Sequence, residues 1–128
     1  MHPLHHAQSS ARKWGGAPED YLRLHEWFDA SKAMMADLRH RALRHHTEGI
    51  FMCEQIFGVS LINSAGREVP VRWIGEQHVR EDLGWIPSMQ DWFKHICPAK
   101  WMRRGGQLDE PTVPESVTEP PNEASAVG

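Results

Sequence analysis

The sequence has no long hydrophobic run and only two cysteines. None of its apolar stretches approaches the ~18–20 residues that a membrane-spanning helix requires. Cys53 and Cys97 do not resemble a disulfide framework, which favours a reducing compartment. The start of the chain, M-H-P-L-H-H-A-Q, lacks the basic and apolar segments of a signal peptide. We therefore expect a cytoplasmic protein that does not contact a membrane.

Signatures of several enzyme classes are also missing. The chain contains no adjacent His-Asp pair, no H-E-x-x-H, no G-x-S-x-G, no P-loop and no C-x-x-C. A strong charge of either sign is absent too, because residues 1–102 carry 12 acidic and 12 basic side chains. This balance argues against a broad nucleic-acid-binding surface, which needs an extended basic face.

The composition changes near residue 102. Residues 1–102 contain all six tryptophans and most of the apolar residues, and they have the length of one compact domain. The following segment is acidic, rich in Pro, Glu, Ser and Thr, and free of aromatic residues. We predict a single globular domain over residues 1–102 and a disordered tail over residues 103–128.

Residues 31–57 carry the longest periodic pattern in the chain. Apolar side chains recur there every three or four positions, which predicts a long central amphipathic helix ending at Gly58. Two β-rich runs follow at residues 59–62 and 69–74, and the turn sequence N-S-A-G joins them into a predicted β-hairpin. With shorter helices on either side, these elements predict a mainly helical α+β domain.

Gly49 interrupts the predicted central helix at a cost of about 1 kcal/mol relative to alanine. One interpretation is that another element packs closely against this position. The other is that the missing side chain leaves a gap for a ligand beside His45. We favour close packing, because a glycine inside a helical pattern commonly has a packing reason.

Two histidines on the central helix are candidates for function. His45 lies on the apolar face and His46 at its edge, and adjacent helical side chains diverge by about 100°, so the two are not expected to chelate one ion together. We predict a buried, hydrogen-bonded imidazole for His45 and keep it as a ligand-binding candidate. We predict an acid-base or ligand role for His46, assisted by Glu54 about two turns later and by His78 from outside the helix.

Two histidine-aspartate pairs are spaced four residues apart. His25 and Asp29 form one pair, and His78 and Asp82 form the other. This spacing places both side chains on one helical face, close enough to ligate a metal or to let the carboxylate orient the imidazole. A divalent metal is therefore the candidate cofactor. The alternative for Asp29 is a helix cap, and four-apart pairs also arise by chance in a histidine-rich chain.

A basic run precedes His46 and supplies candidate phosphate ligands. Arg41 and Arg44 lie within it, and Arg72 belongs to the second predicted strand. Guanidinium groups match phosphate and carboxylate oxygens, and neighbouring imidazoles can move protons near neutral pH. The alternative is a solvated face in which Arg41 and Arg44 pair with Asp37 and Glu48 at helical spacing.

Four segments together resemble an uncharacterised family of small proteins from bacteria and their phages. They read L-H-H-A-Q-S-S-A-R-K-W-G-G, L-H-E-W-F-D-A-S-K, R-H-R-A-L-R-H-H-T-E-G-I-F-M-C-E and V-P-V-R-W-I-G-E-Q-H-V-R-E-D-L-G-W-I-P-S. The resemblance covers about residues 1–102. It implies a single domain with a variable tail, and a place among phage or mobile-element accessory proteins.

Two functional hypotheses follow from these residues. The first is a metal-assisted or histidine-dependent hydrolase that acts on a phosphorylated small molecule or nucleotide. The second is a non-catalytic binding protein that sequesters a nucleotide or inhibits a host protein. Six tryptophans in so short a chain also favour self-association into a homo-oligomer.

Overall fold

The computed structural model describes residues 1–105, which are mainly helical with one small sheet. The chain separates into two compact units, the first spanning Met1–Met89 and the second beginning at Gln90. The α+β prediction is confirmed. The predicted single domain over residues 1–102 stays a prediction. The predicted tail lies, apart from residues 103–105, outside the described residues.

The elements of the first unit follow one another with short connections. This unit contains four complete helices, two strands and three 3₁₀ segments. The helices are α1 (Pro3–Trp14), α2 (Leu22–Asp29), α3 (Thr47–Phe57) and α4 (Val71–Leu83); the strands are β1 (Ser60–Ile62) and β2 (Glu68–Pro70); the 3₁₀ segments are Pro18–Asp20, Ala30–Ala33 and Leu38–Leu43. A short α5 (Met89–Phe93) begins at the last residue of this unit, and a 3₁₀ segment, Lys100–Arg103, lies in the second unit. No helix within residues 1–105 is long and apolar enough to cross a membrane.

The predicted continuous helix over residues 31–57 is wrong, because the chain breaks it into two 3₁₀ segments and α3. Polar side chains cause the break by bonding to the backbone, as Ser, Asp and similar residues do in competition with a helix. Asp37 accepts the N–H of Arg39 at 2.9 Å, and Ser31 donates to the carbonyl oxygen of His40. His46 adopts an extended conformation and caps α3 by accepting the Gly49 N–H at 2.9 Å.

Gly49 is required for close packing, as the sequence predicts. A Cβ at this position would overlap the carbonyl oxygen of Arg44 and lie only 2.9 Å from the Arg44 Cα. The neighbouring element is the backbone of the preceding turn. The tight approach brings the end of the Leu38–Leu43 segment against the first turn of α3.

The predicted hairpin is confirmed, but its second strand is shorter than predicted. β1 and β2 pair antiparallel with Leu61 opposite Val69, and Asn63 stabilises the turn by accepting the N–H groups of Ala65 and Arg67. Beyond Pro70 the chain enters α4, because residues 71, 74, 75 and 78 recur at helical spacing and are buried. Gly84 ends α4 in a left-handed conformation, which glycine adopts without steric cost.

The interior of this unit combines an apolar core with an unusual number of imidazoles. Core side chains come from all four helices and from β2, and they include Tyr21, Leu24, Phe28, Ile50 and Ile74. Six of the nine histidines are also buried: His6, His25, His40, His45, His46 and His78. Buried polar groups need partners, so the contacts of these rings determine what the interior can do.

Candidate metal centre

Four buried polar side chains from three parts of the chain converge inside the first unit. Asp29 is the last residue of α2, His45 precedes α3, and His78 and Asp82 lie one turn apart on α4. His45 Nε2 is 3.0 Å from Asp82 Oδ2 and 3.5 Å from Asp29 Oδ1. His78 Nε2 is 3.4 Å from each of these two oxygens. We refer to these four residues as the candidate centre.

Close helix packing positions the candidate centre. Gly75 lets α4 approach its neighbours, since a Cβ there would lie 3.1 Å from Ile50 and 3.2 Å from Phe28. The Phe28 ring then stacks on His78, with ring centroids 4.7 Å apart, and packs edge-on against His45. These apolar contacts hold both imidazoles at fixed angles and keep water away from them.

The spacing of the four ligand atoms fits a single metal ion. A tetrahedral ion with bonds of about 2.0–2.1 Å holds its ligand atoms about 3.4 Å apart. The four nitrogen-to-oxygen separations in the candidate centre range from 3.0 to 3.5 Å, and all four atoms lie within 4.8 Å of one another. The four nitrogen-to-oxygen separations therefore match those around a tetrahedral ion.

A chain of hydrogen bonds leading to His78 begins at the Gln77 side chain. Gln77 Nε2 donates to the carbonyl oxygen of His6 and to Glu81 Oε1, each at 2.9 Å. These two acceptors identify the amide nitrogen, so the amide atom that faces Ser10 is the oxygen Oε1, which only accepts. Ser10 Oγ donates to that oxygen at 2.5 Å. Because this bond uses the hydroxyl proton, His25 Nε2 donates to Ser10 Oγ at 2.8 Å.

The same series of hydrogen bonds determines which ring nitrogen of His78 carries the proton in its neutral form. Burial, together with the neighbouring His78 and His6, lowers the pKa of His25 to about 2, so His25 is neutral. Its Nε2 carries the proton, so His25 Nδ1 accepts from His78 Nδ1 at 2.9 Å. With its Nδ1 donating in this way, the neutral form of His78 has its unprotonated Nε2 facing the two carboxylates.

The position of His78 Nε2 between two carboxylates is the strongest indication of a cation site. This nitrogen is buried and has no hydrogen-bond partner within residues 1–105. Two carboxylate oxygens at 3.4 Å from this nitrogen require positive charge beside it, which a protonated ring or a bound metal ion supplies. Histidines that ligate metals commonly donate their other ring N–H to a fixed partner, as His78 Nδ1 does here.

Both carboxylates of the candidate centre are ionised. Burial raises the pKa of Asp82, but hydrogen bonds to His45 and His6 and the adjacent His78 ring outweigh burial and hold that pKa well below its ordinary value. Burial likewise raises the pKa of Asp29, and the adjacent His45 and His78 rings more than reverse the effect. Two negative charges are thus concentrated in a water-excluded interior.

His6 supports Asp82 from the side opposite the candidate centre. Its Nδ1 lies 2.7 Å from Glu81 Oε1 and its Nε2 lies 3.2 Å from Asp82 Oδ1. Since ionised carboxylates only accept, both ring nitrogens donate and His6 is an imidazolium. Burial lowers the pKa of His6, but its bonds to Asp82 and Glu81 outweigh burial and raise it.

A second histidine group, formed by His6, His25 and His78, is unsuited to a metal. Its rings are stacked, with centroids 3.9 to 5.3 Å apart and interplanar angles of 20 to 30°. Ring lone pairs lie in the ring planes, so those of stacked rings do not converge on one point. Both nitrogens of His6 and of His25 are also engaged in the hydrogen bonds described above.

The structure brings three of the four predicted metal ligands together at one place. Asp29, His78 and Asp82 belong to the candidate centre, and His25 orients His78 from behind. His45, which we predicted to be a buried hydrogen-bonded imidazole, is buried and bonds Asp82. Both four-apart pairs thus meet at one place, although they come from different helices.

The other predicted site residues lie outside the candidate centre, and only Arg41 among them forms an ion pair with one of its members. His46 caps α3 and its Nε2 lies 3.0 Å from the Ala42 carbonyl oxygen. Arg44 donates to the Trp27 carbonyl oxygen and covers the Trp27 ring, and Arg72 pairs with Glu54 at 3.3 Å. The Arg41 guanidinium Nη2 lies 3.9 Å from Asp82 Oδ1. Catalytic or phosphate-binding roles for these residues stay predictions.

Sequence reasoning missed four residues that support the candidate centre: His6, Ser10, Gln77 and Glu81. His6 and Ser10 lie four residues apart on α1, and Gln77 and Glu81 are likewise four apart on α4. This shared spacing was the available signal, because it places each pair on one helical face. What the sequence could not supply was the contact between the two helices.

A pocket of about 330 Å³ opens beside the candidate centre. Its lining includes Asp29, Lys32, Asp37, His40 and Arg41. Asp29 is only 8% exposed, and its Oδ2 has no hydrogen-bond partner among residues 1–105. The pocket thus reaches a carboxylate that is itself part of the candidate centre.

Comparison with known proteins identifies a family without an assigned activity. A family model described as "Domain of unknown function (DUF6915)" matches residues 1–102. No curated protein and no solved structure matches the chain. The predicted membership of an uncharacterised family is confirmed over the predicted range, whereas an origin in bacteria and their phages stays a prediction.

Proposed function

We propose that the chain, which belongs to the DUF6915 family of unknown function, binds one divalent metal ion through Asp29, His45, His78 and Asp82. The observation that carries this proposal is the convergence of two imidazole nitrogens and two carboxylate oxygens at 3.0 to 3.5 Å. With two ionised aspartates and two neutral histidines, a divalent ion makes the filled centre electrically neutral. That neutrality removes the main cost of burying it.

The donor set narrows the choice of metal. Imidazole with carboxylate suits Zn²⁺, Mn²⁺, Fe²⁺ or Co²⁺, and the absence of thiolate ligands in the candidate centre disfavours Cu⁺. Ca²⁺ prefers six to eight oxygen ligands and is also disfavoured. We expect Zn²⁺ to bind most tightly among the first four, in keeping with the usual affinity order for such ligands.

The proposed reaction class is metal-assisted hydrolysis of a phosphorylated small molecule or nucleotide. A bound ion polarises a phosphoryl oxygen or lowers the pKa of a bound water. The water oxygen would bond to phosphorus while the ester P–O bond breaks, and the departing oxygen would keep the electron pair and take up a proton. Support comes from the pocket that reaches Asp29, because a purely structural metal site needs no such access.

Metal content tests the proposal directly. Purified, untagged protein should contain or take up one ion per chain, measured by native mass spectrometry and elemental analysis after dialysis against Zn²⁺ or Mn²⁺. Asp29→Asn and His78→Gln should abolish uptake, since each removes a ligand with little change in volume. His5→Ala is the matched control, because His5 is an exposed histidine on α1. Failure of the wild-type protein to bind either metal would refute the proposal.

A second candidate function is a non-catalytic partner-binding protein. Trp73 is 47% exposed and Trp85 is 56% exposed, and such aromatic side chains are common energetic centres of interfaces. A host protein, a sequestered nucleotide or a second copy of the chain would be the partner. Stoichiometric complex formation that Trp85→Ala weakens, with no turnover of phosphate esters in the metal-loaded protein, would favour this function.

A further inference from the structure

The pocket beside the candidate centre has cationic side chains that the fold leaves available. Arg41 is 18% exposed, and its buried Nε has no hydrogen-bond partner among residues 1–105. Lys32 lies on the exposed part of the pocket wall and makes no ion pair within these residues. The carboxylate of Asp37, in contrast, is held by Arg39 at 2.7 Å, so it adds little negative charge to the pocket.

Metal binding would change the charge balance in this pocket. In the absence of a metal, the Met1 ammonium and the Arg41 guanidinium both compensate Asp82, whose Oδ1 lies 3.3 Å from the first and 3.9 Å from the second. A divalent ion would neutralise Asp29 and Asp82 together. His6 is already balanced by Glu81 at 2.7 Å. The charges of Arg41, Lys32 and the Met1 ammonium would then be left without a counterion, next to a metal.

We infer that this pocket binds the phosphoryl group of a small phosphomonoester, with Arg41 and Lys32 contacting its oxygens beside the ion. The inference rests on the proposed function and names its substrate class. The surplus positive charge of Arg41, Lys32 and the Met1 ammonium suits a phosphomonoester, which carries about −1.5 to −2 at neutral pH. Guanidinium is well suited to phosphate oxygens, and the volume of about 330 Å³ admits a phosphate with a small organic group.

Calorimetric titration with inorganic phosphate tests the inference. The metal-loaded full chain should bind phosphate, and Arg41→Gln should weaken the affinity roughly ten- to a hundredfold, as expected for loss of a hydrogen bond to a charged group. Lys32→Gln should weaken it about two- to fivefold, because Lys32 is more exposed. Arg12→Gln is the control for loss of one positive charge, since Arg12 is exposed on α1 outside the pocket.

The outcomes separate the two proposals. Equal phosphate affinity in wild type, Arg41→Gln and Lys32→Gln would overturn the pocket assignment while leaving metal binding intact. Phosphate binding that Asp29→Asn abolishes but Arg41→Gln leaves unchanged would place the anion on the metal alone and would also overturn it. If no metal binds, the proposed function fails, and the same titration is read on metal-free protein. Arg41-dependent binding there would still support the pocket, and its absence would overturn it.

Discussion

Replacing Gly49 with alanine should destabilise the protein strongly, although alanine is the better helix former. The added Cβ would overlap the Arg44 carbonyl oxygen and lie 2.5 Å from its carbon, and backbone atoms cannot move aside as a side-chain end can. Overpacking costs about 1–3 kcal/mol, and we expect the upper end here. Disturbing the His46 cap adds about 1 kcal/mol, and the higher helix propensity of alanine returns about 1 kcal/mol.

The net loss from Gly49→Ala is therefore about 3 kcal/mol in the free energy of unfolding. For a domain of this size it lowers the melting temperature by roughly 12–24 °C. Thermal unfolding followed by circular dichroism measures the change. Gly66→Ala is the control: Gly66 has a positive φ of 85° but nothing within 4 Å of an added Cβ, so the loss should be about 1–2 kcal/mol. A Gly49→Ala protein that melts at or above the wild-type temperature would refute the packing argument.

Three further predictions concern the metal, the cysteines and acid stability. Zn²⁺ at a concentration 100 times its dissociation constant should stabilise the native state by about 2.7 kcal/mol and raise the melting temperature by roughly 10–20 °C. The Asp29→Asn variant should show no such rise. An unchanged rise in that variant would place the ion elsewhere. A thiol reagent should modify exposed Cys97 quickly and leave Cys53 unmodified until unfolding, because burial raises the pKa of Cys53 to about 12; rapid labelling in a Cys97→Ser variant would contradict this. Hydrogen bonds from the Ser64 and Ala17 backbone lower the pKa of Asp20 below its ordinary 3.8, so this carboxylate contributes stability above pH 3.8 that is lost as the pH falls through its folded value. Urea unfolding at several pH values should show a shallower acid decline for Asp20→Asn, and identical slopes would exclude the contribution.

Local patterns predicted some elements well and others poorly. The hairpin turn at residues 63–66 and the end of α4 at Gly84 depend on local backbone chemistry, which the sequence shows directly. The break in the predicted central helix depends on which backbone groups Ser31, Asp37 and His46 bind, and the same residues would be tolerated in a longer helix. Apolar side chains alternate in residues 71–74 as in a strand, but they also recur three residues apart, at 71 and 74, as in a helix. Only packing against α3 decided that this segment is helical.

The candidate centre was partly predictable for a similar reason. The four-residue spacing within each pair indicates a shared helical face, and this property survives in the fold. Which pairs meet depends on how α2 and α4 cross, and Gly75 controls that approach through contacts with Phe28 and Ile50. His45 reaches the candidate centre only because the predicted helix breaks just after it. A regular helix would have carried its side chain in another direction.

The hydrogen-bond chain from Gln77 through Ser10 and His25 to His78 gives the candidate centre a control point outside the ligands. The direction of each hydrogen bond in this series follows from the Gln77 amide nitrogen, which donates to the His6 carbonyl oxygen and to Glu81 Oε1 and so leaves the amide oxygen to face Ser10. Replacing Gln77 with glutamate would leave the volume unchanged but remove those two donors. Ser10 would still donate to the new carboxylate, which only accepts, so the direction of donation towards His78 would be kept. The carbonyl oxygen of His6 and Glu81 Oε1 would instead each lose a donor and face a new negative charge, which alters the support that His6 gives to Asp82.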